Sequence, residues 1–324
     1  GDQHYGEVWH GKGDRVHYTD STARFSSEFG FASAPSAQLC RSHMPGSSPP
    51  KNDLARHHDR TGKPWETFSG MVELHYKKAA NLDEWVRTSQ LNQRDALRFG
   101  IGHFRTNDRC RGSLIWQFND CWPAQSWAIQ DFSGICKPAA YEVARLYRLL
   151  THWMRFEGDE LIVTVANDHH FPVTESLVIR KTSISNQRWN DVTTEAIELQ
   201  PGERKTVRLG SFNDPTELFS AHFASDPQHT QSIAGFAEPK DVNWPYPEVR
   251  LNEKQDELIF EGLAHDCVIY DPENLHNLQW AGDYDVPGLW SRTFASETVQ
   301  FSCDERPAKL IVEHLGGGHV FQLD

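Results

Sequence analysis

Glu28 is the first residue whose type and setting could do chemistry. It sits in "RFSSEFG" (24–30), which reads as one short strand with Phe25, Ser27 and Phe29 alternating against Arg24, Ser26 and Glu28. Gly30 follows where a sharp turn is expected. A carboxylate at such a strand end is either a solvated charge or a group that attacks or moves protons. "LIWQFNDCWPAQSW" (114–127) gathers Trp116, Trp122 and Trp127 with Asn119 and Asp120 around the end of a strand. These are either core rings beside an Asn-Asp turn, or an indole flooring a pocket with two polar side chains that grip hydroxyls. "VWHG" (8–11) poses the same choice for Trp9 and His10: a packed turn or a pocket wall. The pairs His57–His58 and His169–His170 have no convincing carboxylate or His partner at helical spacing, so no metal and no cofactor is expected.

Two kinds of scaffold must position these residues. Residues 81–107 place Leu82, Trp85, Val86, Leu91, Leu97, Ile101 and Phe104 near helical spacing, with acids early and bases late. Residues 112–118 read as a buried strand, and 137–150 as a helix with Pro138 in its first turn. Strand, helix, strand, helix predicts a parallel α/β unit over 1–150. Beyond it, "ELIVTVAND", "ESLVIRKTSI" and "LFSAHFAS" alternate with period two between Pro and Gly punctuation. That pattern predicts a β-sandwich over 151–246 and, past the linker-like "NWPYPE", a second small one over 247–324.

Bulk properties narrow the function classes. The 324 residues carry a formal net charge of −13, which argues against a nucleic-acid partner. No apolar run approaches the roughly 18 residues of a membrane span. With 11 Trp, 8 Tyr and 18 Phe, the chain is rich in rings that suit cores and sugar faces alike. Six scattered cysteines without metal-like spacing, and no Asn-x-Ser/Thr acceptor, predict free thiols and a cytoplasmic setting.

"GDQHYGEVWHGK", "RFSSEFGFASAP", "ARHHDRTG", "TSQLNQRDALRFGIGHFR" and "RCRGSLIWQFNDCWPAQSWAIQDFSGICKPAAY" together resemble, in order and in spacing, the C-terminal half of a β-mannosidase of glycoside hydrolase family 2. The resemblance runs through residues 1 to about 150. It implies the last part of a (β/α)8 TIM barrel followed by two immunoglobulin-like β-sandwiches. "AGDYDVPG" (281–288) is similar to a "DNYFDLxPGE"-like segment of the last such domain. The implied activity is retaining, exo-acting removal of terminal β-D-mannose from oligosaccharides or glycosides. Glu28 then corresponds to the nucleophile at the end of barrel strand seven. Trp116 would floor the sugar subsite, Tyr5, Trp9 and His10 would line it, and Asn119 and Asp120 complete the set.

One departure from the family pattern matters. The family's acid/base is a Glu in an Asn-Glu pair on barrel strand four, and the one Asn-Glu here is Asn252–Glu253, in the far β region. The expectation is therefore a chain with one of two catalytic carboxylates, whose partner is the N-terminal half of the same enzyme. The alternatives are another family 2 activity (β-galactosidase, β-glucuronidase or exo-glucosaminidase) and a non-catalytic glycan-binding relic.

Overall fold

A computed structural model of the chain describes residues 1–46, 48–270, 278–280, 292–303 and 306–323. The segment 281–288 lies outside the described residues. The chain divides into two compact units, Gly1–Arg148 and Leu149–Asp324.

The first unit is built on a parallel three-stranded sheet, β1 (Asp2–His4), β2 (Phe25–Phe29) and β3 (Ser113–Ile115), in that order. Strands that run parallel end on one edge, so His4, Glu28 and Trp116 leave the sheet on the same side. The expected alternation along 24–30 does not form. Ser26 and Phe29 are buried while Phe25 is exposed. The cause is a bulge: Ser26 and Phe29 face Ser113 and Ile115, and Gln3 and His4 face Ser26 and Glu28, so β2 carries one residue too many for either neighbour. A bulge bends the strand and re-aims its side chains, here at Ser27 and Glu28. The strand expected over 112–118 pairs only over Ser113–Ile115, with Leu114 exposed.

Five α-helices accompany this sheet among the described residues: α1 (Ala37–His43), α2 (Asp53–His57), α3 (Trp65–Glu73), α4 (Leu82–Thr106) and α5 (Pro138–Leu146). α4 begins at a reciprocal cap. Asn81 Oδ1 accepts from the Glu84 N–H at 3.0 Å, and Glu84 accepts from the Ala80 N–H at 2.8 Å. Its apolar positions are buried as expected, and so are Gln90, Gln93, Arg94 and Asp95, which its hydrophobic spacing does not announce. Asp95 accepts from Tyr76 at 2.7 Å and is paired with Arg94 at 2.7 Å and Arg15 at 3.4 Å. Arg98 then joins Glu142 of α5 at 2.9 Å, which also holds Arg145 at 2.6 Å. Buried charges persist because each is paired and hydrogen-bonded. α5 is shorter than the helix expected over 137–150 because a new strand opens at Leu150.

The described strand pairs of the second unit are all antiparallel. β4 (Leu150–Glu157), β5 (Glu160–Asn167) and β8 (Arg204–Ser211) form one sheet; β6 (Val173–Ser183), β7 (Asn190–Leu199), β9 (Glu217–Phe223) and β10 (Ser232–Gly235) form the other, with a one-turn helix, α6 (Pro227–Thr230), before β10. Leu161, Val163 and Val165 of the first sheet share a core with Leu177, Ile179 and Phe219 of the second, which makes this a sandwich. A second sandwich follows. One sheet has β11 (Glu248–Leu251), β12 (Glu257–Glu261), β16 (Thr298–Cys303) and β14 (Leu278–Trp280); the other has β15 (Arg292–Ala295), β13 (Leu263–Tyr270), β17 (Lys309–His314) and β18 (Gly317–Gln322). Phe260 and Phe294 stack between its sheets at 4.4 Å.

Candidate active site

Glu28 stands at the bulged end of β2 with 42% of its side chain exposed. Its carboxylate lies 3.5 Å from His4 Nε2, on the neighbouring strand, and His4 Nδ1 is 2.8 Å from Ser27 Oγ. The backbone closes around it: the Tyr5 N–H donates to the Glu28 carbonyl at 2.7 Å. Among the described residues its ionic contact is with His4 and not with Arg24. Glu28 is thus accessible, anchored through its backbone and oriented by the sheet.

Trp116 is 49% exposed, and its N–H donates to the Phe29 carbonyl at 2.8 Å. The Trp116–Gln117 peptide is cis. Gly30 runs so close to this segment that a β-carbon there would stand 1.9 Å from the Trp116 carbonyl oxygen. Gly30 is not in the left-handed region. Glycine is therefore required by a close backbone approach, and not by the turn that the sequence suggested.

The remaining expected residues separate into buried and exposed groups. Trp9 is 2% exposed, wedged edge-on against Phe31, Phe68 and Trp127 at 4.9, 5.4 and 5.7 Å, with Lys63 Nζ 5.3 Å from its ring. Its Nε1 is buried and has no hydrogen-bond partner among the described residues. Tyr5 is buried too, its hydroxyl donating to the His17 carbonyl at 2.8 Å; burial, and the charge of Asp20 after it, raise its pKa. His10 is exposed, 6.4 Å from the Trp127 ring. Asn119 is exposed, whereas Asp120 turns inward and accepts from Ser126 Oγ at 2.8 Å. Burial raises the Asp120 pKa, opposed by the charge of Lys137. Asp120 therefore holds its own loop together.

Three residues outside the expected site set tie this region together. Trp127, in the aromatic motif, lies between Trp9, His10 and Gly30. Gln93 of α4 donates to the carbonyls of Phe31 and Trp127 at 2.9 and 3.0 Å and accepts from Ser33 Oγ at 2.8 Å. It stitches the segment after β2 to the segment after β3. Lys137 is 1% exposed and donates to Ser33 Oγ at 3.0 Å. Burial pulls its ammonium down to about 8, against the opposing charges of Asp120 and Asp131. A run of polar residues on the buried face of α4 was the available signal for Gln93; a lysine just before a helix-starting proline carries none.

No family model matches the chain. It is 32% identical over 270 residues to "Beta-mannosidase B" of Aspergillus fumigatus, covering 76% of this chain and 32% of that protein. It is 28% identical over 267 residues to the Aspergillus flavus protein of the same name, covering 76% and 31%. The chain spans about a third of the length of these curated relatives. Among solved structures, β-D-mannosidase from Dictyoglomus thermophilum superposes with a TM-score of 0.77 at 25% identity, over 97% of this chain and 40% of that one. Over most of its length the chain is thus similar to one part of the β-mannosidases of glycoside hydrolase family 2. The exo-chitosanase of Amycolatopsis orientalis, at 13% identity and a TM-score of 0.63, shares the fold over 96% of this chain and 45% of that one.

Proposed function

We propose that this chain is the nucleophile-bearing part of a retaining, exo-acting hydrolase of terminal β-D-mannosides. The observation that carries the reading is the shared edge of the parallel sheet. Glu28, half exposed at a bulge, leaves β2 on the side where Trp116 leaves β3 and His4 leaves β1. In parallel α/β sheets the chemistry sits at the carboxyl ends of the strands. Glu28 would attack the anomeric carbon and form a glycosyl-enzyme while the bond to the leaving oxygen breaks. A second carboxyl, about 5–5.5 Å away, would protonate that oxygen and then deprotonate the incoming water.

In this reading the second carboxyl is supplied by the N-terminal half of the same enzyme. β1 and β3 each have one neighbour among the described strands, so each leaves an edge to which further parallel strands could add. Completion of a (β/α)8 barrel on those edges, with two immunoglobulin-like sandwiches after it, fits the element order. Exposed Trp116 and His10 would meet the sugar first. Trp9 and Tyr5, buried behind them, would back the site.

The test is Glu28→Gln in the full-length polypeptide, assayed on aryl β-mannosides with β-galactoside, β-glucuronide and β-glucosaminide as comparators. Hydrolysis should fall by several orders of magnitude with the melting temperature nearly unchanged. Glu28→Gly with azide should restore turnover of an activated mannoside and release the α-azide. Retention of more than about a tenth of the parent rate by Glu28→Gln is incompatible with a covalent nucleophile. Preference for another glycoside would reassign the substrate and leave the nucleophile standing.

A further inference from the structure

The outer face of the β10–β9–β6–β7 sheet, where the second sandwich packs on it, holds buried polar atoms without a hydrogen-bond partner among the described residues. Register sets the group. Val178 lies opposite His222, Arg180 opposite Ser220 and Thr182 opposite Leu218, so these side chains share one face. Ile179 and Ala221 alternate with them into the first sandwich's core. Leu218 packs with Leu263 and Ala295 of the second sandwich, which covers part of the face and leaves Val178 and Arg180 half-buried.

Ser220, Thr182 and His222 are buried, and Ser220 Oγ, Thr182 Oγ1 and His222 Nδ1 have no hydrogen-bond partner among the described residues. Arg180 Nε and Gln231 Nε2 are in the same condition. The Arg180 guanidinium lies 5.4 Å from the Trp189 ring and has no carboxylate partner among the described residues. Arg292 comes from β15, where the next residue's N–H donates to Gln231 Oε1 at 3.4 Å. Its buried guanidinium stands 3.7 Å from the Glu297 carboxylate. Burial, then Arg180 and Arg292, pull the His222 imidazole down to about 4, with Asp191 opposing weakly. The junction therefore combines positive potential with hydroxyls that lack acceptors.

An orphaned buried donor is costly, and Arg180, half-buried with its Nε shielded from water, carries a charge that gains from a nearby counter-charge. Water would satisfy the hydroxyls and leave the Arg180 charge uncompensated. An anion satisfies both. We propose that this junction binds a tetrahedral oxyanion, phosphate or sulfate, held by Arg180 and by the hydroxyls of Ser220 and Thr182, with Arg292 adding to the positive potential.

Calorimetric titration of the purified chain with sodium phosphate and sodium sulfate tests this, together with melting curves against sodium chloride at matched ionic strength. One ion per chain is expected, and a melting temperature that rises with phosphate or sulfate but not with chloride. Arg180→Met keeps an aliphatic stem on Trp189 and removes the charge; it should weaken binding by at least about tenfold. Ser220→Ala should weaken it severalfold, with circular dichroism confirming that both variants fold. If Arg180→Met does not fold, Ser220→Ala and the parent's stoichiometry decide. Glucose 6-phosphate distinguishes the source: binding no tighter than that of inorganic phosphate assigns a free ion, and tighter binding a phosphate ester. Absence of binding heat, equal stabilisation by chloride, or undiminished affinity in both variants means that the junction holds water alone, and the proposal fails.

Discussion

Replacing Gly30 by alanine should cost the first unit more than any other single methyl group added to it. The new β-carbon would stand 1.9 Å from the Trp116 carbonyl oxygen and 3.0 Å from its carbon. Reaching an ordinary contact of 3.4 Å requires the two segments to separate by about 1.5 Å. Both sides of the clash are backbone, so no rotamer relieves it. Such a shift breaks the 2.8 Å bond from the Trp116 N–H to Phe29 and disturbs the 2.9 Å bond from the Tyr18 hydroxyl to Gly30. Overpacking alone costs about 1–3 kcal/mol, and each buried bond lost adds about 1 kcal/mol. The expected total is about 3–5 kcal/mol, a large share of a domain's net stability. Urea denaturation followed by tryptophan fluorescence measures it. Gly70, inside α3 with nothing within 4 Å of a built β-carbon, is the control. There, alanine should stabilise by about 0.5–1 kcal/mol. Asparagine at Gly30 separates the two explanations for glycine, because it tolerates a turn conformation but suffers the same clash. A loss below about 1 kcal/mol in Gly30→Ala, where overpacking predicts more, would refute the close approach.

Three further outcomes follow from the buried charges and cores. Burial pushes the Glu142 carboxyl up, but Arg145 and Arg98 outweigh it and hold it at about 2 against an ordinary 4.5. The ion pairs therefore contribute fully above pH 4.5 and are lost as pH falls toward 2. Glu142→Gln should cost about 3–5 kcal/mol at neutral pH and flatten that acid limb; an unchanged acid limb in denaturation curves counts against it. Lys137 has the opposite sign, because burial lowers it from 10.5 to about 8. Across that window the unfolded chain holds a proton that the folded chain has released, so this residue makes stability rise with pH. Lys137→Met should remove that rising component, and an identical slope in the variant would show that the ammonium is not buried. Phe260→Ala, deleting a ring stacked on Phe294, should cost about 3–5 kcal/mol in chemical denaturation of the chain; a loss under about 1 kcal/mol contradicts this core.

The helix α4 and the strands of both sandwiches are legible in the amino-acid sequence, because the period of side-chain placement is a local property. Leu161, Val163 and Val165 face inward for the same reason that they alternate. The motifs around Glu28 and Trp116 can be marked as chemistry for the residue types they bring together. The tertiary structure decided what those residues are doing. Trp9 and Trp116 are alike in sequence, and one is buried among three rings while the other is half exposed. Glu28 is aimed by a bulge that exists only in the pairing with two other strands. Gln93 reaches Ser33 across 60 positions and Lys137 reaches the same hydroxyl across 104. Burial and polar pairing are relations between segments far apart in the chain. A local pattern carries no record of which distant group will compensate a buried amide or ammonium, so these positions become visible only once the segments have met.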